Sequence, residues 1–325
     1  MATYILRRIL IAFPVLLGIT VTSFIALSLA PGDPLTARMD PTVLAQLQRN
    51  PGLLEERRHE LGLDQPVPVR YVVWLTGALR GDLGYSIQSH RPIAEEIAKR
   101  IPPTLALMSA AILIALLVGI PLGIAAALRP YSRADYAMTT ATLLLSSVPT
   151  FVLGLGGIYI FAVWLDLLPS GGMQTLGAAN SVFDFGAHLV LPAMILGLAS
   201  AAPLLRYTRA SMLDALNGEY VVTARAKGLS SRNVVIRHAF RNSLIPIITV
   251  VGLLLPELVA GAVITEQIFA WPGMGQLAVR AASDRDPALM MGVVLVIGSA
   301  VLAVNILVDV LYARADPRIR LSSAR

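Results

Sequence analysis

EYVVTARAKGLSSRNVVIRHAFRNSLIPI, from Glu219 to Ile247, is a basic, helix-prone run in a chain of 325 residues that is 56% hydrophobic and only 14% charged. Asn217-Gly218 just before it reads as a helix stop. YVVTARAK then forms a short helix broken at Gly228-Leu229, and Ser230 or Ser231 can cap a second helix, RNVVIRHAF. Helical spacing places Val235, Ile236, Ala239 and Phe240 on one side of that second helix, with Arg237 and Arg241 on the other. A structured, amphipathic, basic loop of this kind either lies on anionic lipid headgroups or docks a cytosolic partner.

The flanks of this loop decide the fold class. Six stretches are long and apolar enough to cross about 30 Å of hydrocarbon. They run between Arg8 and Asp33, Arg100 and Arg129, and Asp135 and Asp166, then from Ala187 to Leu205, Leu244 to Ile268 and Pro287 to Val308. Their continuity predicts helices; a closed barrel would show alternating segments of about ten residues. The chain is therefore expected to be an all-α polytopic membrane protein. Pro121, Pro149 and Pro256 fall inside spans, where they kink helices and free carbonyls. The first uncharged stretch, residues 9–32, is too long for the h-region of a signal peptide and is read as a retained anchor.

Arginine and lysine set the orientation. Arg7 and Arg8, Arg129 and Arg133, the basic residues from Arg206 through Arg241, and Arg314, Arg318, Arg320 and Arg325 all flank spans on one side, assigned to the cytoplasm. The loop from Asp166 to Gly186 has no basic residue, and that from Phe269 to Asp286 has only Arg280 and Arg285. Both termini are thus expected to be cytoplasmic. The net charge of +6 belongs to this topology and carries no nucleic-acid signal. The one soluble-looking piece, Pro31 to Ile101, has prolines at 51, 66 and 92 placed to open helices, the last feeding span two.

The chemistry is mostly excluded. Cysteine is absent, so no disulfide, thiol nucleophile or cysteine-bound zinc exists here. The two lysines, Lys99 and Lys227, each follow alanine, so no Gly-Lys-Ser/Thr phosphate loop is present. His59-Glu60 lacks the second histidine of a zinc-protease pair, and His188 and His238 read as structural or surface residues. No catalytic, cofactor or metal site is expected in this chain. Glu257, after Pro256 within span five, is either a group facing a translocation path or a paired carboxylate at a helix interface.

TARAKGL with RHAFRNSLIP resembles the cytoplasmic loop of ABC-importer permeases, in particular the first permease subunit of dipeptide, oligopeptide and nickel systems. The likeness runs along the chain in order: APGDP (Ala30–Pro34), LGLDQP (Leu61–Pro66), RGDLGYS (Arg80–Ser86), GIPLGIAAAL (Gly119–Leu128), TEQIFAWPGMG (Thr265–Gly275) and DPRIR (Asp316–Arg320). In the loop, Gly228 matches the glycine of the general permease signature and Ala224 its second alanine, while Val222 and Thr223 replace its Glu and first Ala.

The resemblance implies a type I importer permease (MetI-like) core of a bacterial cytoplasmic (inner) membrane. It implies a coupling helix made of Tyr220, Val221, Thr223, Ala224, Arg225, Ala226, Lys227, Gly228 and Leu229, seated on a cytosolic ATPase. Two such ATPases holding ATP and Mg, a second homologous permease subunit and an extracytoplasmic substrate-binding protein would complete the importer. The chain then divides into residues 1–30 (cytoplasmic end and first span), 31–101 (extracytoplasmic helical segment), 102–312 (five-helix core with coupling loop 206–243) and 313–325 (tail). The expected cargo class is peptides or related small solutes, nickel complexes among them. The alternative is a proton-coupled secondary transporter using Glu257.

Overall fold

The computed structural model describes residues 2–29, 51–60, 62–175, 177 and 181–315. Its elements are helices: α1 Ala2–Leu29, α2 Pro51–Glu60, α3 Val67–Leu79, α4 Ile93–Leu128, α5 Arg133–Ser147 and α6 Thr150–Gly157, which winds on as a π-helical stretch Ile158–Trp164. Then come α7 Val182–Leu216, α8 Glu219–Ala226, the single turn α9 Ser231–Asn233, a second π-helical stretch Val234–Phe240, α10 Arg241–Ile268, α11 Met274–Ser283 and α12 Pro287–Ala315. Among the described residues the strand-like pairing is an isolated antiparallel bridge between Tyr85 and Pro92. Helices begin at Pro51, after Pro66 and after Pro92, as the prolines predict. APGDP and DPRIR lie outside the described residues.

Among the described residues, five segments have the length and composition to cross a membrane: Leu6–Leu29, Ile93–Leu128, Val182–Leu216, Ser231–Pro256 and Pro287–Val310. The remaining expected span is two helices, α5 and α6, meeting at 100°. The cause is local. Pro149 has no N–H to donate and forces Val148 into an extended conformation (φ −92°, ψ 125°), so α5 stops at Ser147 and Pro149 becomes the N-cap of α6. Pro121 and Pro256, by contrast, sit inside unbroken α4 and α10.

The chain folds as two compact units. The first comprises Met1–Leu6, Pro103–Pro272 and Ala303–Arg325. Its packing is written on α4, where Leu107, Ala111, Ala115, Gly119, Gly123 and Ala127 recur at steps of four and are all buried. A Cβ on Gly119 would lie 3.0 Å from the Ala201 carbonyl of α7, and one on Gly123 would lie 2.6 Å from the Thr208 Cβ. Small residues on this stripe therefore let the two backbones approach, the usual source of helix association where lipid is the solvent. Leu105, Leu113 and Leu117 face outward instead.

The second unit comprises Arg7–Pro102 and Gly273–Leu302. Ile93 and Ile97 of α4 pack with Met274, Leu277 and Ala281 of α11 and with Leu289 and Val293 of α12. Asp286, 1% exposed, ties this unit together. Its Oδ2 accepts from Ser86 Oγ at 2.7 Å and from the Ile87 N–H at 2.9 Å, and its Oδ1 caps α12 through the Leu289 N–H at 3.0 Å. Ser86 of the RGDLGYS run is thus placed by a carboxylate two hundred residues away.

Candidate functional site

The site lies where α7 runs out. Asn217 caps that helix, and Gly218, extended at φ −69° and ψ 142°, turns the chain into α8. Glu219 stands in the first turn of α8 and Arg225 in the last, both favourable to the helix dipole. The exit is a Schellman closure: the Leu229 N–H donates to the Ala224 carbonyl at 3.3 Å and the Gly228 N–H to the Arg225 carbonyl at 2.9 Å. Gly228 carries it at φ +78°, the left-handed region that residues with a Cβ resist. Nothing lies within 4 Å of a Cβ built there, so within this chain conformation alone demands the glycine.

One side of α8 is fixed and the other open. Val221 and Ala224 are buried in a cluster with Ala127 of α4, Met212 and Ala215 of α7, and Val234 and Ala239 of the second π-helical stretch. Tyr220, Val222, Thr223, Arg225, Ala226 and Lys227 are exposed, as are Gly228 and Leu229 of the exit turn. Of the nine residues assigned to the coupling helix, Val221 and Ala224 therefore anchor it, and the other seven face outward with Val222 beside them. The open side combines apolar groups (Tyr220, Val222, Leu229) with two cations (Arg225, Lys227), a mixture suited to a protein surface.

The segment after Gly228 departs from simple helical spacing. Val234 and Ala239 are buried, five residues apart as a π turn requires, whereas Ile236 is 52% exposed. The expected apolar side of Val235, Ile236, Ala239 and Phe240 is corrected accordingly: the wider winding turns Ile236 out and brings Val234 in. Arg232, Arg237 and Arg241 are exposed. Ser243 Oγ lies 2.9 Å from the Ala239 carbonyl and 3.1 Å from that of Ser211, fastening the start of α10 to α7.

Two polar arrangements were not read from the sequence. Arg209 of α7 grips Asp135 of α5 with a two-pronged contact, Nε to Oδ1 at 2.6 Å and Nη2 to Oδ2 at 2.7 Å. Asp135 also accepts from the Tyr131 N–H at 2.8 Å, while its own N–H donates to Ser132 Oγ at 3.2 Å. Ser-x-x-Asp is a capping pattern that announces this helix start, but nothing in it names Arg209. The second arrangement is Glu266, fully buried in α10, whose Oε1 accepts from Thr104 Oγ1 at 2.6 Å. Nearby, Trp271 Nε1 donates to the Pro103 carbonyl at 2.9 Å. Both anchors belong to TEQIFAWPGMG. Glu257 lies on α10, with its side chain outside the described residues. Among the described residues no group of three or more His, Asp or Glu could hold a metal ion.

Apolar helices of membrane length, packed through small residues and carrying a braced basic helix at a helix end, define a polytopic membrane protein. Residues 119–321 match the model of the binding-protein-dependent transport system inner membrane component, and residues 1–108 match the N-terminal model of the same membrane component. The chain belongs to this family of ABC-importer permeases. It is 43% identical over 320 residues to the oligopeptide transport system permease protein AppB of Bacillus subtilis, covering 98% of this chain and 99% of that one. It is 36% identical over 341 residues to the dipeptide transport system permease protein DppB of Escherichia coli K12, covering 98% and 99%. Among solved structures, a chain of the MetNI methionine ABC transporter in an inward-facing conformation superposes with a TM-score of 0.55 at 16% identity, covering 68% of this chain and 96% of that one. That likeness establishes the type I, MetI-like importer permease fold.

Proposed function

We propose that this permease carries peptides or related small solutes inward, and that α8 is the surface through which it receives work from a cytosolic ATPase. The cargo class is inferred from the relatives, whose names specify oligopeptide and dipeptide transport. In this reading two ATPases hold ATP and Mg, a second homologous permease completes the pathway, an extracytoplasmic binding protein delivers cargo, and this chain hydrolyses nothing itself. Both termini and α8 face the cytoplasm of a bacterial cell, as the arginine distribution supports. The proton-coupled alternative has no observation in its favour.

The observation that carries this reading is the two-sidedness of α8. Val221 and Ala224 lock it to α4 and α7, so a push on Tyr220, Val222 or Arg225 moves membrane helices rather than a compliant loop. Alternating access then follows as a rigid-body response to ATPase closure. A side chain at Gly228 strains the exit turn and intrudes where a partner would seat. Gly228→Asp should insert normally, because no apolar span is touched, yet lose nearly all uptake and most recovery of ATPase subunits in a pull-down. If α8 only rests on lipid, losing Arg232, Arg237 and Arg241 together does the greater harm, each basic residue contributing about 1 kcal/mol near an anionic surface. Normal pull-down and uptake by Gly228→Asp, with loss in the triple Arg→Gln variant, would reverse the assignment.

A further inference from the structure

The helix α3 is apolar along almost all of its 13 residues, yet none of them is buried. Val69, Val72, Val73 and Leu79 are 45–72% exposed, more apolar surface than a water-facing helix of this size needs. Its attachment explains why. The Tyr71 ring stands edge-on to Phe24 of α1 at 5.4 Å between centroids, and Tyr71 Oη is 3.0 Å from Thr20 Oγ1. Phe24 and Thr20 lie five and nine residues before Leu29, the end of a membrane-length helix, so they sit about 7 and 13 Å below it at about 1.5 Å per residue. The helix is therefore held, through Tyr71, against the last turns of a membrane-length helix, where apolar side chains and aromatic rings meet lipid rather than water.

Beside α3 is a cavity of about 450 Å³, walled by apolar groups that include Phe24, Val73, Leu83 and Met291. Two polar groups, one on α3 and one on the loop after it, also line it. The Arg70 guanidinium lies 5.9 Å from the Phe24 ring centroid. The Trp74 ring adds to the apolar wall, with its Nε1 buried away from the open volume. Asp82, exposed at the rim, has Oδ1 engaged by the Gly84 N–H at 2.9 Å. We propose that the cavity is a phospholipid site that takes an acyl chain of a zwitterionic glycerophospholipid. The phosphate oxygens meet Arg70, and an ammonium headgroup meets Asp82. The LGLDQP and RGDLGYS runs, which contribute Gly62, Leu63 and Gln65 and Asp82 to Tyr85 to the wall, then serve to shape a lipid pocket.

This rests on the permease reading and on its orientation, which places the lipid in the outer leaflet. The test uses the assembled importer in nanodiscs containing phosphatidylethanolamine with a diazirine in one acyl chain, and mass spectrometry of the photolabelled peptides. Label is expected on α3 and on residues 287–291, falling at least fivefold in Arg70→Gln and in Val73→Trp, which fills the cavity, while label on the membrane-facing residues of α1 stays constant. Unchanged labelling in both variants, or displacement of the label by a soluble tripeptide, would overturn the site. Labelling of Ser89→Cys by an impermeant thiol reagent in intact cells reads the orientation separately. A reversed result there would refute the topology and leave the cavity's occupant decided by the photolabel.

Discussion

Asp135 and Asp286 are both buried carboxylates at the starts of helices, and the protein satisfies them in different ways. Asp135 answers a full cation: Arg209 closes on both its oxygens, and the guanidinium remains a quarter exposed. Asp286 meets only neutral donors, the Ser86 hydroxyl and the N–H groups of Ile87, Gln88 and Leu289, and among the described residues no cation reaches it. An ion pair can be lost as a pair, because removing both charges leaves little behind. A carboxylate that holds four neutral donors cannot be removed so cleanly, because the donors it served lose their partner. The first arrangement suits a joint that must survive rearrangement, and the second a joint that sets a shape once.

Variants can break this contrast in graded steps. Asp286→Ala should have the largest effect, about 3 kcal/mol or more, since it strands the donors and uncaps α12 together. It should appear as a lowered thermal unfolding midpoint in detergent and as new protease cleavage between Arg80 and Pro92. Arg209→Gln should cost roughly 2 kcal/mol by leaving Asp135 uncompensated, less than for a fully buried pair because Arg209 is partly solvated. Adding Asp135→Asn should restore about 1 kcal/mol or more of that loss, a coupling read from the double-mutant cycle. A double variant no more stable than Arg209→Gln alone would erase the distinction between the two sites. Ser86→Ala should be mildest, about 1 kcal/mol, because Asp286 keeps its backbone donors.

Much of the architecture could be read from residue order because its causes are local. Prolines at 51, 66 and 92 start helices by fixing φ, and Gly228 ends α8 by supplying a positive one. The 100° break at Pro149 was less legible, since Pro121 and Pro256 occupy similar apolar runs and remain inside continuous helices. Nor did spacing announce the π-helical winding at Val234, which depends on what Val234 and Ala239 find to pack against. The Arg209–Asp135 clamp and the Thr104–Glu266 bond join residues 74 and 162 positions apart, and a single sequence does not record such pairings. The same holds for the second unit, which gathers 7–102 with 273–302. In the candidate site, the helix and its glycine were evident, but which residues anchor it and which are offered outward became clear only from the packing of Val221 and Ala224.

The unbroken helical course from Ser231 through Ile268 has a mechanical meaning. It starts immediately beyond the turn that closes α8 and ends at the buried Phe269 and Trp271. At about 1.5 Å per residue it is a beam about 57 Å long, and a tilt of about 5° at one end sweeps the other through about 5 Å. Under the proposed coupling, a small displacement near Val234 would become, at Glu266, a movement comparable to the width of a side chain. The gain of such a lever is fixed by its length and weakened by any bend, so Pro246 and Pro256 would set how much of an input stroke arrives.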